Sequence, residues 1–166
     1  PNLYLKSHAG QAPGFDKRVY PVDFNSGSLT VLKIEDKNGK ALPFFPDPLR
    51  GKTLFVVVLP SAIPSDAQYR FSIYFKTKIP EKRGVFGYYK DLLTLQGGWH
   101  PYLSHFSEGQ WDFRKPPQPS QFQVQLSLKD TQQVVGSEAQ VLISEQAEKK
   151  QLLMEGKGLP FFSLSI

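Results

Sequence analysis

GGWHPYLSHFSEGQWDFRKPPQPSQFQVQLSL, residues Gly97–Leu128, leads from an aromatic Gly-Gly turn through a proline-dense connector into a strand of strict two-residue alternation. In that strand Phe122, Val124, Leu126 and Leu128 share one side, and Gln121, Gln123, Gln125 and Ser127 share the other. Successive strand side chains point to opposite faces, so the pattern predicts a sheet that is dry on one face and wet on the other.

Outward from this stretch the chain keeps the same grammar. Arg18–Phe24 and Leu29–Glu35 read as strands joined by Asn25-Ser26-Gly27-Ser28. Asn38-Gly39 is a strong local reversal signal, because both residues accept positive φ. Pro43–Pro48 holds three prolines and so cannot form a central strand, each proline lacking a ladder donor. Thr53–Leu59 is a continuous apolar run, which predicts a strand buried on both faces. Tyr69–Lys78 alternates, with Phe71, Ile73 and Phe75 on one side. Val85–Leu95 reads as one extended segment with Gly87 as a bulge.

Beyond the connector, strands are predicted at Gln121–Lys129, Gln133–Val135, Ala139–Ser144, Lys150–Glu155 and Leu159–Ser165. Ser144–Met154 has a helix-favouring composition but no apolar stripe at helical spacing, so a short helix is possible there and a hairpin turning at Glu145–Lys149 is favoured. Many short strands broken by Gly and Pro predict an all-β fold. The expected form is an antiparallel β-sandwich or saddle-like open sheets, with Greek-key-like connections and little helix.

The 166 residues fit a single domain, 1–166, with residues 114–120 as a stiff proline-rich connector. A chain of this length buries about 70% of its unfolded surface, so neither disulfide nor metal is needed for stability. Cysteine is absent, which excludes a disulfide framework, thiolate zinc, an iron–sulfur centre and a cysteine nucleophile. The net charge of +5 comes from dispersed basic residues, a solvated surface rather than a phosphate-binding face; no nucleic-acid partner is expected. No stretch approaches the roughly 20 apolar residues of a bilayer span, and no membrane contact is expected of this domain. PNLYLKSHAG has neither the charged nor the apolar region of a signal peptide, and it reads as the start of a cut or processed piece.

Candidate chemistry is thin. His100 and His105 are five apart, His8 is distant, and zinc needs three or four converging ligands, so no metal or other cofactor is expected in this chain. No Gly-x-Ser-x-Gly elbow and no phosphate-cradling glycine loop is present. Glu108 and Asp112 flank Trp111, but glycoside chemistry needs two carboxylates converging on one bond, and a solvated loop is the simpler account. Trp99, Tyr102, Phe106, Trp111 and Phe113 invite a sugar- or base-stacking reading. Aromatics in β proteins more often fill the core or seal a domain interface, and that packing role is the one expected.

Tyr69–Pro80 (YRFSIYFKTKIP), Gly84–Tyr89 (GVFGYY), Leu95–Tyr102 (LQGGWHPY) and Phe122–Gly136 (FQVQLSLKDTQQVVG) follow one another in an order that resembles the amino-terminal β domain of aminopeptidase N-like (gluzincin) zinc metallopeptidases. The resemblance covers Asn25 to Asp130, about two thirds of the chain. Its Trp-His-Pro-Tyr turn is most similar to the Trp-Tyr-Pro version in bacterial, envelope-associated members.

The resemblance implies a non-catalytic domain. In that family the zinc ligands and the catalytic glutamate lie in a following domain, on which the amino-terminal domain packs to close one side of the cleft. It also implies that Gln96, by position, helps bind the free amino group of a peptide substrate. A neutral amide oxygen can accept from an ammonium while a carboxylate elsewhere supplies charge. No activity is then expected of this chain alone. The alternative reading is a carbohydrate- or protein-binding sandwich that uses Trp99, Tyr102 and Trp111.

Overall fold

The computed structural model describes residues 27–48, 51–82, 84, 86–112, 115–136, 140–146 and 149–166. Among them there is no helix, and every strand ladder is antiparallel. The order is β1 (Ser28–Asp36), β2 (Phe44–Asp47), β3 (Gly51–Val57), β4 (Phe71–Lys78), β5 (Phe86–Tyr89), β6 (Leu92–Leu95), β7 (His105–Ser107), β8 (Gln110–Asp112), β9 (Ser120–Lys129), β10 (Val135–Gly136), β11 (Gln140–Gln146), β12 (Lys149–Leu159) and β13 (Leu164–Ser165). They form several small sheets, none closed into a barrel. The predicted strand Arg18–Phe24, and with it His8 and Phe113, lies outside the described residues.

Two of these sheets stack to make the core. β9 supplies the dry face expected of it: Phe122, Val124, Leu126 and Leu128 are half-buried, while the glutamines between them are exposed. β12 pairs along its length with β9 on one side and with β11 on the other. Opposite stands the sheet ordered β10-β13-β6-β5. Leu152 and Met154 from the first sheet meet Leu95 and Leu164 from the second, with Val134 and Phe162 completing one buried cluster. Met154 and Phe162 are wholly inaccessible to solvent. On the wet face, Gln123 donates to Glu155 at 3.0 Å and Gln125 to Gln151 at 3.1 Å, so the exposed amides satisfy one another across the strands.

β13 is short but sits inside its sheet, between β10 and β6. Leu164 pairs with Leu95, and Ile166 extends the ladder by exchanging both backbone hydrogen bonds with Leu93, at 2.8 and 2.9 Å.

β1 and β4 form a separate ladder in which Phe71, Ile73 and Phe75 point inward as the alternation requires. The reversal at Asn38-Gly39 forms, with Gly39 at φ +79°. Asp36 organises it by accepting from the backbone amides of Asn38 and Lys40 at 2.8 and 2.9 Å. The returning chain pairs only at Ala41 before leaving, and it buries Leu42. β2 is a two-stranded partner of β3, and its ladder slips between Pro46 and Asp47, which is how a proline is tolerated in a strand.

Three expectations need correction. β3 is not buried on both faces: Val56 and Val58 are exposed, since its only partner among the described residues is the short β2. Val85–Leu95 is not one extended segment but a hairpin, β5–β6, turning at Lys90-Asp91 with Lys90 at φ 53°. Gly87 is not a bulge either, because its pairing with Thr94 is in continuous register. Among the described residues of Ser144–Met154 there is no helix. The chain makes the hairpin β11–β12, which turns between the paired residues Gln146 and Lys149.

Candidate functional site

The connector from Gln96 to Asp112 leaves the core sheet and carries three exposed aromatic side chains, Tyr102, Phe106 and Trp111. It departs where Leu95 is buried between Phe86 and Leu164. Gln96 is exposed at this exit. Gly97 and Gly98 follow with φ +63° and +65°, two successive left-handed residues that only glycine adopts without strain. A side chain at Gly97 would also press on the Phe161 ring, 3.3 Å from the position of a β-carbon.

The sharp turn delivers Trp99 to the core. Its Nε1–H donates to the Phe162 carbonyl at 2.7 Å, and its own carbonyl accepts from Thr77 Oγ1 at 2.8 Å. One residue thus ties the end of β4 to the segment between β12 and β13. Trp99→Phe keeps most of the ring but leaves the Phe162 carbonyl without its donor. The expected cost is about 1–3 kcal/mol of stability, read as a lower urea midpoint; an unchanged midpoint would refute the role given to this bond.

His100 is boxed in by aromatic rings, edge-on to Trp99 at 4.9 Å and to Phe122 at 5.6 Å. Its Nδ1 lies 2.9 Å from the Pro101 carbonyl, which can only accept, so Nδ1 carries the proton. Nε2 is buried and has no hydrogen-bond partner among the described residues. Among the described residues no group of three His, Asp or Glu side chains is placed to hold a metal ion. His100 and His105 are not brought together: one faces the aromatic box, and the other lies in β7.

β7 and β8 form a hairpin that turns at Glu108-Gly109, both with positive φ. Its register pairs Phe106 with Trp111, their rings 4.8 Å apart and tilted by 58°. The flanking pair on the other face is His105 with Asp112. Burial runs opposite to habit. Phe106 and Trp111 are 50% and 52% exposed, while His105 and Asp112 are half-buried. Tyr102, edge-on to Phe161, and Leu103 are exposed on the approach to the hairpin. Of the aromatic cluster, Trp99 therefore packs as expected, whereas Tyr102, Phe106 and Trp111 do not enter this chain's own core.

Glu108 is an exposed turn residue, and Asp112 lies 3.8 Å from Lys115. Elsewhere, Lys33 and Glu35 bond at 2.8 Å over the Tyr74 ring. The hydrogen bond raises the lysine pKa and lowers the glutamate pKa, keeping both charged. That is a strut on an exposed sheet face.

The β7–β8 hairpin is not among the strands expected from the sequence, although its aromatics are singled out there. The usable signal was Phe106-Ser107-Glu108-Gly109-Gln110-Trp111, with turn residues centred between two aromatics. Compared with protein-family models, curated proteins and solved structures, the chain matches none.

Proposed function

We propose that this chain is a non-catalytic β module that docks on a catalytic unit of the same polypeptide through the connector 96–112, as the amino-terminal domain of an aminopeptidase N-like zinc metallopeptidase does. The inverted hairpin carries the reading. An isolated module gains nothing by turning Phe106 and Trp111 to water and a His–Asp pair inward. At roughly 25 cal/mol per Å² of apolar surface, covering two such rings is a real driving force for association. Gln96 opens the same connector and is exposed, so its amide oxygen is free to accept from a peptide ammonium at the edge of such an interface. Zinc belongs, in this reading, to the catalytic unit.

The test uses Trp111 as its own reporter. In a Trp99→Phe background, iodide should quench Trp111 strongly in this chain alone and weakly when the proposed catalytic unit is attached. Equal quenching in both would sink the proposal. So would stoichiometric zinc in the purified chain by atomic absorption, or aminopeptidase turnover by it.

The exposed rings also favour a second reading, a carbohydrate-binding face. The 58° tilt between Phe106 and Trp111 offers no flat platform for a sugar ring. A saturable Trp111 fluorescence shift with glycans would decide for it.

A further inference from the structure

A second candidate site lies away from the connector, where β1 ends and β4 begins. Asp36, the last residue of β1, pairs with Phe71, the first of β4. Lys37 therefore leaves the sheet at the same corner at which Arg70 enters it. Between them opens a groove of about 400 Å³ lined by Lys37, Gln68, Tyr69, Arg70 and Phe71. No carboxylate is among these lining residues, and among the described residues neither Lys37 nor Arg70 is in an ion pair. Asp36, the acid next in the chain, turns Oδ1 to the amides of its own turn.

The groove also contains an anomaly. Tyr69 leans on Phe71 at 6.3 Å, and its hydroxyl is shielded from water yet has no hydrogen-bond partner among the described residues. A buried hydroxyl left unpaired costs free energy.

We propose that this groove binds a small oxyanion, a carboxylate or a phosphate, held by Lys37 and Arg70. The guanidinium fork matches two oxygens of either group, and the lysine adds a point charge. Both cations are exposed, so the binding is weak and falls as salt rises.

The experiment is a ¹⁵N NMR titration of the 166-residue chain with sodium phosphate, sodium succinate or sodium chloride at matched ionic strength. With a Kd of about 1 mM or tighter, saturable shifts are expected at the amides of Lys37–Lys40 and Gln68–Phe71 with an oxyanion but not with chloride. A response to phosphate alone assigns the site to phosphoryl groups, and one to succinate alone assigns it to carboxylates. Arg70→Gln and Lys37→Gln, both at exposed positions, should each weaken binding about tenfold, and Tyr69→Phe, which removes a hydroxyl that water in the groove does not reach, should leave it unchanged. Absence of saturable shifts with both oxyanions, an equal response to chloride, or a titration unchanged in both Arg70→Gln and Lys37→Gln would overturn the proposal. None of these outcomes bears on the docking of the β7–β8 hairpin.

Discussion

Phe162→Ala should cost about 3–5 kcal/mol of stability, the largest effect expected of a single substitution in this chain. The side chain is wholly buried, its ring sits 5.9 Å from Phe122, and its neighbours come from both stacked sheets. Truncation leaves a cavity that neither sheet can fill alone, because each is held by its own ladder. Phe162→Leu, which keeps most of the volume, should cost clearly less, and the ratio of the two separates cavity from contact. Urea unfolding measures both: the midpoint should fall while the slope stays constant. An alanine variant within about 1 kcal/mol of the parent would mean that the two sheets do not share one core.

Gly87→Ala comes next, at about 1–3 kcal/mol, for a different reason. A β-carbon at Gly87 would stand 2.6 Å from the Lys82 carbonyl oxygen and 3.1 Å from that of Pro80. Those atoms are backbone, and they cannot move cheaply. Tyr88 donates to the Pro80 carbonyl and accepts from the Lys82 amide, both at 3.0 Å, which pins the Pro80–Lys82 segment against β5. The substitution should therefore raise amide exchange at Lys82 and Tyr88 before the rest of the sheet. Uniform loss of protection would place the damage elsewhere.

How far the sequence could be read follows from which interactions are local. Alternation in Phe122–Leu128 and Phe71–Phe75 is set by the two-residue strand repeat, so both dry faces were legible. The Lys90-Asp91 turn was not, because it takes a positive φ at a lysine, and no glycine or asparagine marks it. Thr53–Leu59 misled because apolarity does not say whether a second sheet covers the outer face. At the connector, the Gly-Gly turn was visible, but the bond from Trp99 to Phe162 spans 63 residues and has no local signature. Which aromatics turn inward depends on hairpin register, and register is set by the two-residue turn Glu108-Gly109, whose first residue is a glutamate at positive φ.

The position of β13 bears on how the protein is made. A ribosome delivers β10 and the β5–β6 hairpin well before residues 164–166. Until then the nascent chain presents β6 with one row of amides and carbonyls open to any passing strand. The sheet closes from its middle, and only once residues 164–166 have been made, so deleting those three residues should damage newly synthesised protein far more than their small number implies.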